Sequence, residues 1–176
     1  MIGEVSMIQE WNAEQIRQHR RDFALLLRDA VEGGSSIGFV VPLPEAEVQE
    51  YWRSVEEAVA SGHKRLLVAL DEGRVVGTVQ LNLETRTNGN HRAEVAKLIV
   101  LTTHRRRGLG KALLDTVEAL ARKLGRSTLF LDTVLGDQAE RLYRFAGYSF
   151  VGSIPAYARN IHGVLEANAI YYKLLS

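Results

Sequence analysis

The chain has 176 residues, 46% apolar and 24% charged, enough to bury a continuous core, and it reads as a single α/β domain over 1–176. Its 22 Lys and Arg against 21 Asp and Glu leave a formal charge of +1, without the basic excess of a dedicated nucleic-acid binder, so no nucleic-acid partner is expected. The chain has no cysteine, which excludes disulfides, thiolate metal sites and a Cys nucleophile, and MIGEVSMIQEW has neither a positive n-region nor a long apolar run, so a cytoplasmic protein without a membrane partner is expected.

Met1 to Trp11 reads as a first strand, and Asn12 caps a helix that runs to Glu32 and stops at Gly33-Gly34. Ser35 to Pro44 is a loop, and Pro44 with Glu45 and Glu47 opens a second helix ending near Ser61-Gly62. His63 to Asp71 and Arg74 to Glu84 form a predicted hairpin around Asp71-Glu72-Gly73, and Thr85 to Asn90 is a polar turn. Ala93 to Leu101 is the next strand. From Gly108 to Gly125, Leu113, Val117, Leu120 and Leu124 recur at helical spacing. Thr128 to Leu135 is a strand and Asp137 to Phe145 a short helix. Gly147 begins two C-terminal strands separated by a Pro155 to Ala167 loop.

The segment HRRRGLGKALL, between the strand AEVAKLIVL and the long helix, raises a sharper question. A strand, a short basic turn and a helix start together aim free backbone N–H groups at one point, and the helix field there favours an anion. Gly108 and Gly110 let the backbone approach it. The segment is not a Walker A loop, because Ala112 follows Gly110-Lys111 and no glycine stands five residues before Gly110. It is not a dinucleotide fingerprint either, since the third glycine is missing. The arginines alone would be a solvated charge run.

Two carboxylates stand out because each interrupts an apolar strand: Glu94 in AEVAKLIV and Asp132 after LFL. A carboxylate in such a place is hydrogen-bonded, paired or raised in pKa, and a raised pKa suits a general base. The plainer alternatives are a strand-edge residue for Glu94 and a turn cap for Asp132.

Arg105, Arg106, Arg107, Gly108, Leu109, Gly110 match Arg-x-x-Gly-x-Gly and resemble the acyl-CoA pyrophosphate motif of the GCN5-related N-acetyltransferase (GNAT) superfamily. The order of elements is similar along essentially the whole chain. RAEVAKLIV, RRRGLGKALLD, LFLDT, GDQAERLYRFAGY, IPAYA and AIYYKLL further resemble the tabtoxin-resistance branch.

The resemblance implies a mixed, mostly antiparallel twisted sheet of six to seven strands, flanked by about four helices and opened by a splayed central parallel pair. It implies acetyl-CoA as cosubstrate and direct acetyl transfer to the amine of a small, amino-acid-like molecule, a toxin or antibiotic among them. Acetylation of a protein lysine or N-terminus, and a non-catalytic acyl-CoA-binding module, are the rival readings. Glu94 and Asp132 would activate the amine, and Tyr143 would serve the leaving thiolate as acid. Backbone groups of Leu98, Ile99 and Val100 would meet pantetheine and the thioester carbonyl. Arg105, Arg106, Arg107, Gly108, Leu109, Gly110, Lys111 and Ala112 would hold the diphosphate, with Thr133 and Ala139 also against the cofactor. The chain departs from the family where many members carry Asn three residues before the short helix's alanine; here that residue is Gly136, and Asp137 or Thr133 is left to substitute. A homodimer through AIYYKLL is the family-level expectation.

Other signals carry less. GSSIG formally matches a hydrolase elbow, but a helix precedes it where a strand is required, so Ser36 is not read as a nucleophile; this loop, with Phe39, is expected to border the substrate cleft. The 5 histidines have no metal-ligand spacing, and no metal is expected.

Overall fold

The computed structural model describes residues 7–175, so Met1 to Ser6 of the predicted first strand lie outside the described residues. The elements are β1 (Met7–Trp11), α1 (Ala13–Gln18), α2 (Arg20–Glu32), α3 (Glu45–Ala60), β2 (Lys64–Asp71), β3 (Arg74–Leu83), β4 (Arg92–Val100), α4 (Leu109–Lys123), β5 (Thr128–Val134), α5 (Ala139–Phe145), β6 (Ser149–Arg159) and β7 (Leu165–Leu174). One seven-stranded sheet runs β1-β2-β3-β4-β5-β7-β6. All neighbours are antiparallel except the central pair β4 and β5. This is the expected mixed α/β architecture with its central parallel pair.

The sheet separates two cores. Leu113, Leu114, Val117 and Ala121 of α4 pack with Leu81, Val95, Leu129, Leu131 and Tyr171 on one face. On the other face Ile16, Phe23, Leu27 and Trp52 of the first three helices meet Leu66, Val68 and Ile99. Strands flanked on both sides by apolar cores read as near-continuous apolar runs, which is why LLVAL and VVGTVQL were legible as strands.

Two expectations are corrected. The first helix is broken at His19 into Ala13–Gln18 and Arg20–Glu32, two of the five α-helices among the described residues. His19 Nδ1 lies 2.9 Å from the Gln15 carbonyl, the group that the His19 backbone N–H would take in an unbroken helix. The displaced N–H bonds Ile16 O at 3.1 Å instead, and the His19 ring settles 4.5 Å from that of Trp11.

The Pro155 to Ala167 loop is not a loop. Pro155 lies within β6, at an edge strand, where the register slips between Ile154 and Ala158. Proline is tolerated at such a bulge because no ladder donor is lost there. The real turn is shorter. Asn160 closes it by accepting the N–H groups of His162 (2.9 Å) and Val164 (3.0 Å) on its side-chain oxygen.

Candidate active site

The central pair opens almost as soon as it forms. β4 and β5 pair only at Arg92, Ala93 and Glu94, opposite Thr128, Leu129 and Phe130; beyond Glu94 the β5 side of β4 has no ladder partner. The phase of β4 also changes within this stretch. Lys97 has φ 51°, and the register against β3 slips between the Ala96–Gln80 and Ile99–Thr78 pairs. One inserted residue inverts the alternation that follows it. Ala93 and Val95 join the α4-side core before the bulge, Leu98 and Val100 lie against that same core after it, and Ile99 crosses to the other.

The backbone follows the same rule. The Leu101 N–H donates to Val76 O on β3 at 2.9 Å, so alternation turns the Ile99 backbone toward β3 and those of Leu98 and Val100 toward the cleft. Without the bulge these roles would be exchanged.

After a single 3₁₀ turn, Thr102–His104, the basic loop leads into α4. Gly108 takes φ 81° and Arg106 φ 62°, left-handed conformations that turn the chain sharply into the helix. The first intrahelical bond runs from Ala112 N to Gly108 O at 3.0 Å, and no side chain caps the helix start. The leading N–H groups are thus aimed outward, and their partial positive charge suits an anion.

A cavity of about 410 Å³ joins these parts. Leu98, Ile99, Val100, Arg105, Gly110, Ala139 and Tyr143 line it, together with Gly33, Gly34, Ser35 and Asp137. A Cβ at Gly110 would lie 3.6 Å from Leu142, in ordinary contact, so glycine here leaves room at the helix start rather than avoiding a clash. Arg105 Nε donates to Val100 O at 2.9 Å and ties the loop to the end of β4. Arg106, Arg107, Gly108, Lys111 and Ala112 surround the helix start without lining the cavity. Lys111 is paired with Asp115, and Leu109 is buried in the α4 core. Of the two substitutes for the missing Asn, Asp137 lines the cavity and Thr133 does not. Gly136 N–H is held by the Glu140 carboxylate.

The two acids share the other face of the sheet. Glu94 is half-buried and accepts from Asn82 Nδ2 at 3.0 Å. Asp132 stands two residues, about 7 Å, beyond Glu94's partner Phe130 along β5. It remains open to solvent and accepts from Asn168 Nδ2. Partial desolvation, then the nearby Glu94 charge, raise the Asp132 pKa, while Lys97 and Asn168 pull against them. Tyr143 is buried at the cavity wall, and burial, reinforced by Asp132 and Asp137, pushes its phenol up to about 12.

Sequence reasoning missed the supporting polar set: Asn82, Asn168, Gln80, Lys64 and Lys97. The signal was the one that picked out the acids, polar residues interrupting apolar strands. Of the GSSIG loop expected at the substrate cleft, Gly34 and Ser35 line the cavity instead; Gly33 carried no local signal, and the α2 end beside Arg105 brings it there.

A family model described as "Acetyltransferase (GNAT) family" matches residues 36–148, a span that holds α3, the splayed strands, the basic loop and α5. The chain belongs to the GNAT acetyltransferase family. A mouse protein named probable N-acetyltransferase family 8 member 5 is 32% identical over 132 residues, covering 74% of this GNAT chain and 56% of its own length. The chain thus spans about half of that curated relative. In fold it is similar to a ribosomal-protein-alanine N-acetyltransferase from Brucella melitensis (TM-score 0.79, 21% identity, 96% and 99% of the two chains). It is also similar to a phosphinothricin acetyltransferase from Sinorhizobium meliloti solved in complex with AcCoA (TM-score 0.78, 22% identity, 98% and 89%). No helix among the described residues is long and apolar enough to cross a membrane.

Proposed function

We propose that this chain transfers the acetyl group of acetyl-CoA directly to the amine of a small, amino-acid-like molecule, with the splayed β4–β5 cleft as the reaction site. The observation that carries this reading is the splay of β4 from β5, with the helix start and the two acids set along the same pair of strands. An uncapped helix start with Gly108 and Gly110 lies at one end, unladdered backbone runs along β4, and two carboxylates wait on adjoining strands.

The cavity residues fit the cosubstrate. N–H groups at the start of α4 would take the diphosphate, with Arg105, Arg106, Arg107 and Lys111 adding charge around it. Leu98 and Val100 present strand backbone to the pantetheine amides, and one of their N–H groups polarises the thioester carbonyl. When bound, acetyl-CoA supplies an activated acyl carbon and a thiolate leaving group.

The acceptor must attack as a neutral amine, yet an unperturbed primary amine has a pKa of about 10. Asp132, raised above the usual carboxylate range, is the better base of the two; Glu94, fixed by Asn82, sits beside it to hold the ammonium form on arrival and share the proton through water. The C–N bond forms as the C–S bond breaks, the amine proton passes to the acid pair, and the sulfur is left as thiolate. Tyr143 stays protonated over the neutral range and donates to that sulfur. With its pKa pushed so high it stabilises the thiolate chiefly as a hydrogen-bond donor and gives up its proton late.

The motif-level resemblance to tabtoxin-resistance acetyltransferases supports a toxin or antibiotic acceptor, and the same resemblance supports a dimer through the C-terminal strands. Free-thiol release from acetyl-CoA across a panel of amines tests the reading. Transfer to at least one small amine, with the acetylated product seen by mass spectrometry and no acetyl-enzyme, is expected. Acetyl-CoA binding without transfer to any amine would leave only an acyl-CoA-binding module.

A further inference from the structure

The cleft carries two ammonium groups that the transfer chemistry does not use. Lys97 is the bulge residue of β4, and among the described residues it is the one non-glycine residue with positive φ inside a central strand. Lysine is not favoured in that conformation, which a glycine or asparagine would adopt at lower cost, and strain retained in a core strand points to use of the side chain. Its Nζ reaches toward the Gly38 loop, 3.5 Å from where a Cβ on Gly38 would stand.

Lys64 belongs to the same face. The pairs Lys64–Asn82, Asn82–Glu94 and Glu94–Phe130 form one row across β2, β3, β4 and β5. Lys64 Nζ donates to Gln80 Oε1 at 2.5 Å, and Gln80 Nε2 donates to the Tyr51 hydroxyl of α3 at 2.8 Å, so the buried Gln80 holds this ammonium in place. Phe39 packs edge-on against Tyr51, with ring centroids 5.1 Å apart, and brings the Ser35 to Pro44 loop over this end.

The charges are arranged unusually. Opposite charges lie close enough to feel one another, yet among the described residues no carboxylate closes an ion pair with Lys64 or Lys97; the acids are held by asparagines instead, Glu94 by Asn82 and Asp132 by Asn168. Half-buried ammonium groups that close no ion pair are costly unless a ligand closes one.

Resting on the transferase reading, we infer that Lys64 and Lys97 form the anchor for a carboxylate of the acceptor, which makes the preferred substrate an amino acid or a close relative bearing both a free amine and a carboxylate. The zwitterion matches the site in order: carboxylate to the two ammonium groups, amine to Glu94 and Asp132. The perturbed titrations agree. Burial first and Lys97 next bring Lys64 down to about 8 against the pull of Glu94, and burial lowers Lys97 against the pull of Asp132 and Glu94; a further anion between the two would relieve both.

The test measures transfer from acetyl-CoA to each protein amino acid and to its decarboxylated amine, by wild type, Lys97→Met, Lys64→Met and Lys97→Arg. For the best acceptor, wild type should favour the carboxylated member in kcat/KM by on the order of tenfold or more, the scale expected when a built polar site meets an analogue lacking its partner. Lys97→Met and Lys64→Met should close that gap through KM for the amino acid, while acetyl-CoA binding and turnover of the decarboxylated amine stay within a few-fold. Lys97→Arg should keep the preference. Because Lys97 also influences Asp132, the matched amine reads out any loss of catalysis, and only the ratio reports the anchor. Equal use of amino acid and amine by wild type, or equal loss on both in the lysine variants, overturns the anchor and leaves the transferase standing. No transfer to any amine counts against the transferase. The anchor then stands or falls by calorimetry with the same amino acids in saturating CoA: binding abolished in Lys97→Met supports it, and no binding by wild type overturns it.

Discussion

The two halves of β4 make an instructive contrast. From Arg92 to Glu94 the strand is laddered on both sides, to β3 and to β5, and its side chains alternate as in any central strand. From Val95 to Val100 it is laddered only to β3, and the Lys97 bulge shifts its phase. The first half is held by hydrogen bonds from two neighbours. In the second, side-chain packing must replace one neighbour, and the strand backbone thereby becomes available to a ligand. Packing takes the place of the missing ladder: Leu98 and Val100 lie against one core and Ile99 is buried in the other.

The sharpest way to break this contrast is at its junction, where the acids stand. Glu94→Gln combined with Asp132→Asn should lower turnover by roughly 10²- to 10⁴-fold, the usual weight of positioned acid–base groups, while acetyl-CoA affinity stays unchanged. Thiol-release kinetics beside direct binding separate the two effects, and a double variant that still turns over at the wild-type rate would remove the acids from the mechanism.

Ile99→Ala probes the anchoring of the splayed half. Ile99 is buried among the residues of the first three helices, so denaturant unfolding should show a loss of about 2–5 kcal/mol. A loss below 1 kcal/mol would mean that packing does not stand in for the missing ladder.

Gly110→Val should weaken acetyl-CoA binding by about tenfold, since the new side chain would occupy the helix start proposed to take the diphosphate. Gly110 has no left-handed backbone, and a Cβ there would meet only the Leu142 side chain in ordinary contact, so the variant should fold normally. Tyr143→Phe should cost turnover on the order of tenfold and leave stability nearly unchanged; loss of neither rate nor stability would make Tyr143 a core aromatic only.

The smallest effect concerns pH. The Asp132 pKa is raised in the folded protein, so the unfolded chain ionises it more readily, and its contribution to stability is greatest at acid pH, below the unfolded value. That contribution is lost as pH rises through the folded pKa. Asp132→Asn should therefore raise the melting temperature slightly at neutral pH, with the gain fading toward pH 4 or below; a variant less stable at neutral pH would reverse the sign.

How much of this was visible in the sequence follows from how local each feature is. The basic loop and α4 were legible because glycine placement and helical periodicity are written in consecutive residues, and Glu94 and Asp132 because each breaks an apolar run. The break at His19 depends on a ring nitrogen competing for one carbonyl, which periodicity cannot register. β6 was hidden by Pro155, a residue that argues against a strand unless the strand is known to be an edge. The bulge at Lys97 was invisible for a related reason. AKLIV reads as apolar in either phase, and only the partner strand shows that Ile99 and its two neighbours point to opposite cores. The row of Lys64, Asn82 and Glu94 comes from register between strands far apart in the chain.

Residue-resolved amide exchange, with and without the cosubstrate, tests most directly whether the unladdered half of β4 receives acetyl-CoA. The Leu98 and Val100 amides should exchange fast in the free protein and slow markedly when acetyl-CoA is added, while Ala93 and Ile99, already facing a neighbouring strand, are protected in both states. Protection appearing elsewhere, with Leu98 and Val100 unchanged by saturating acetyl-CoA, would contradict it.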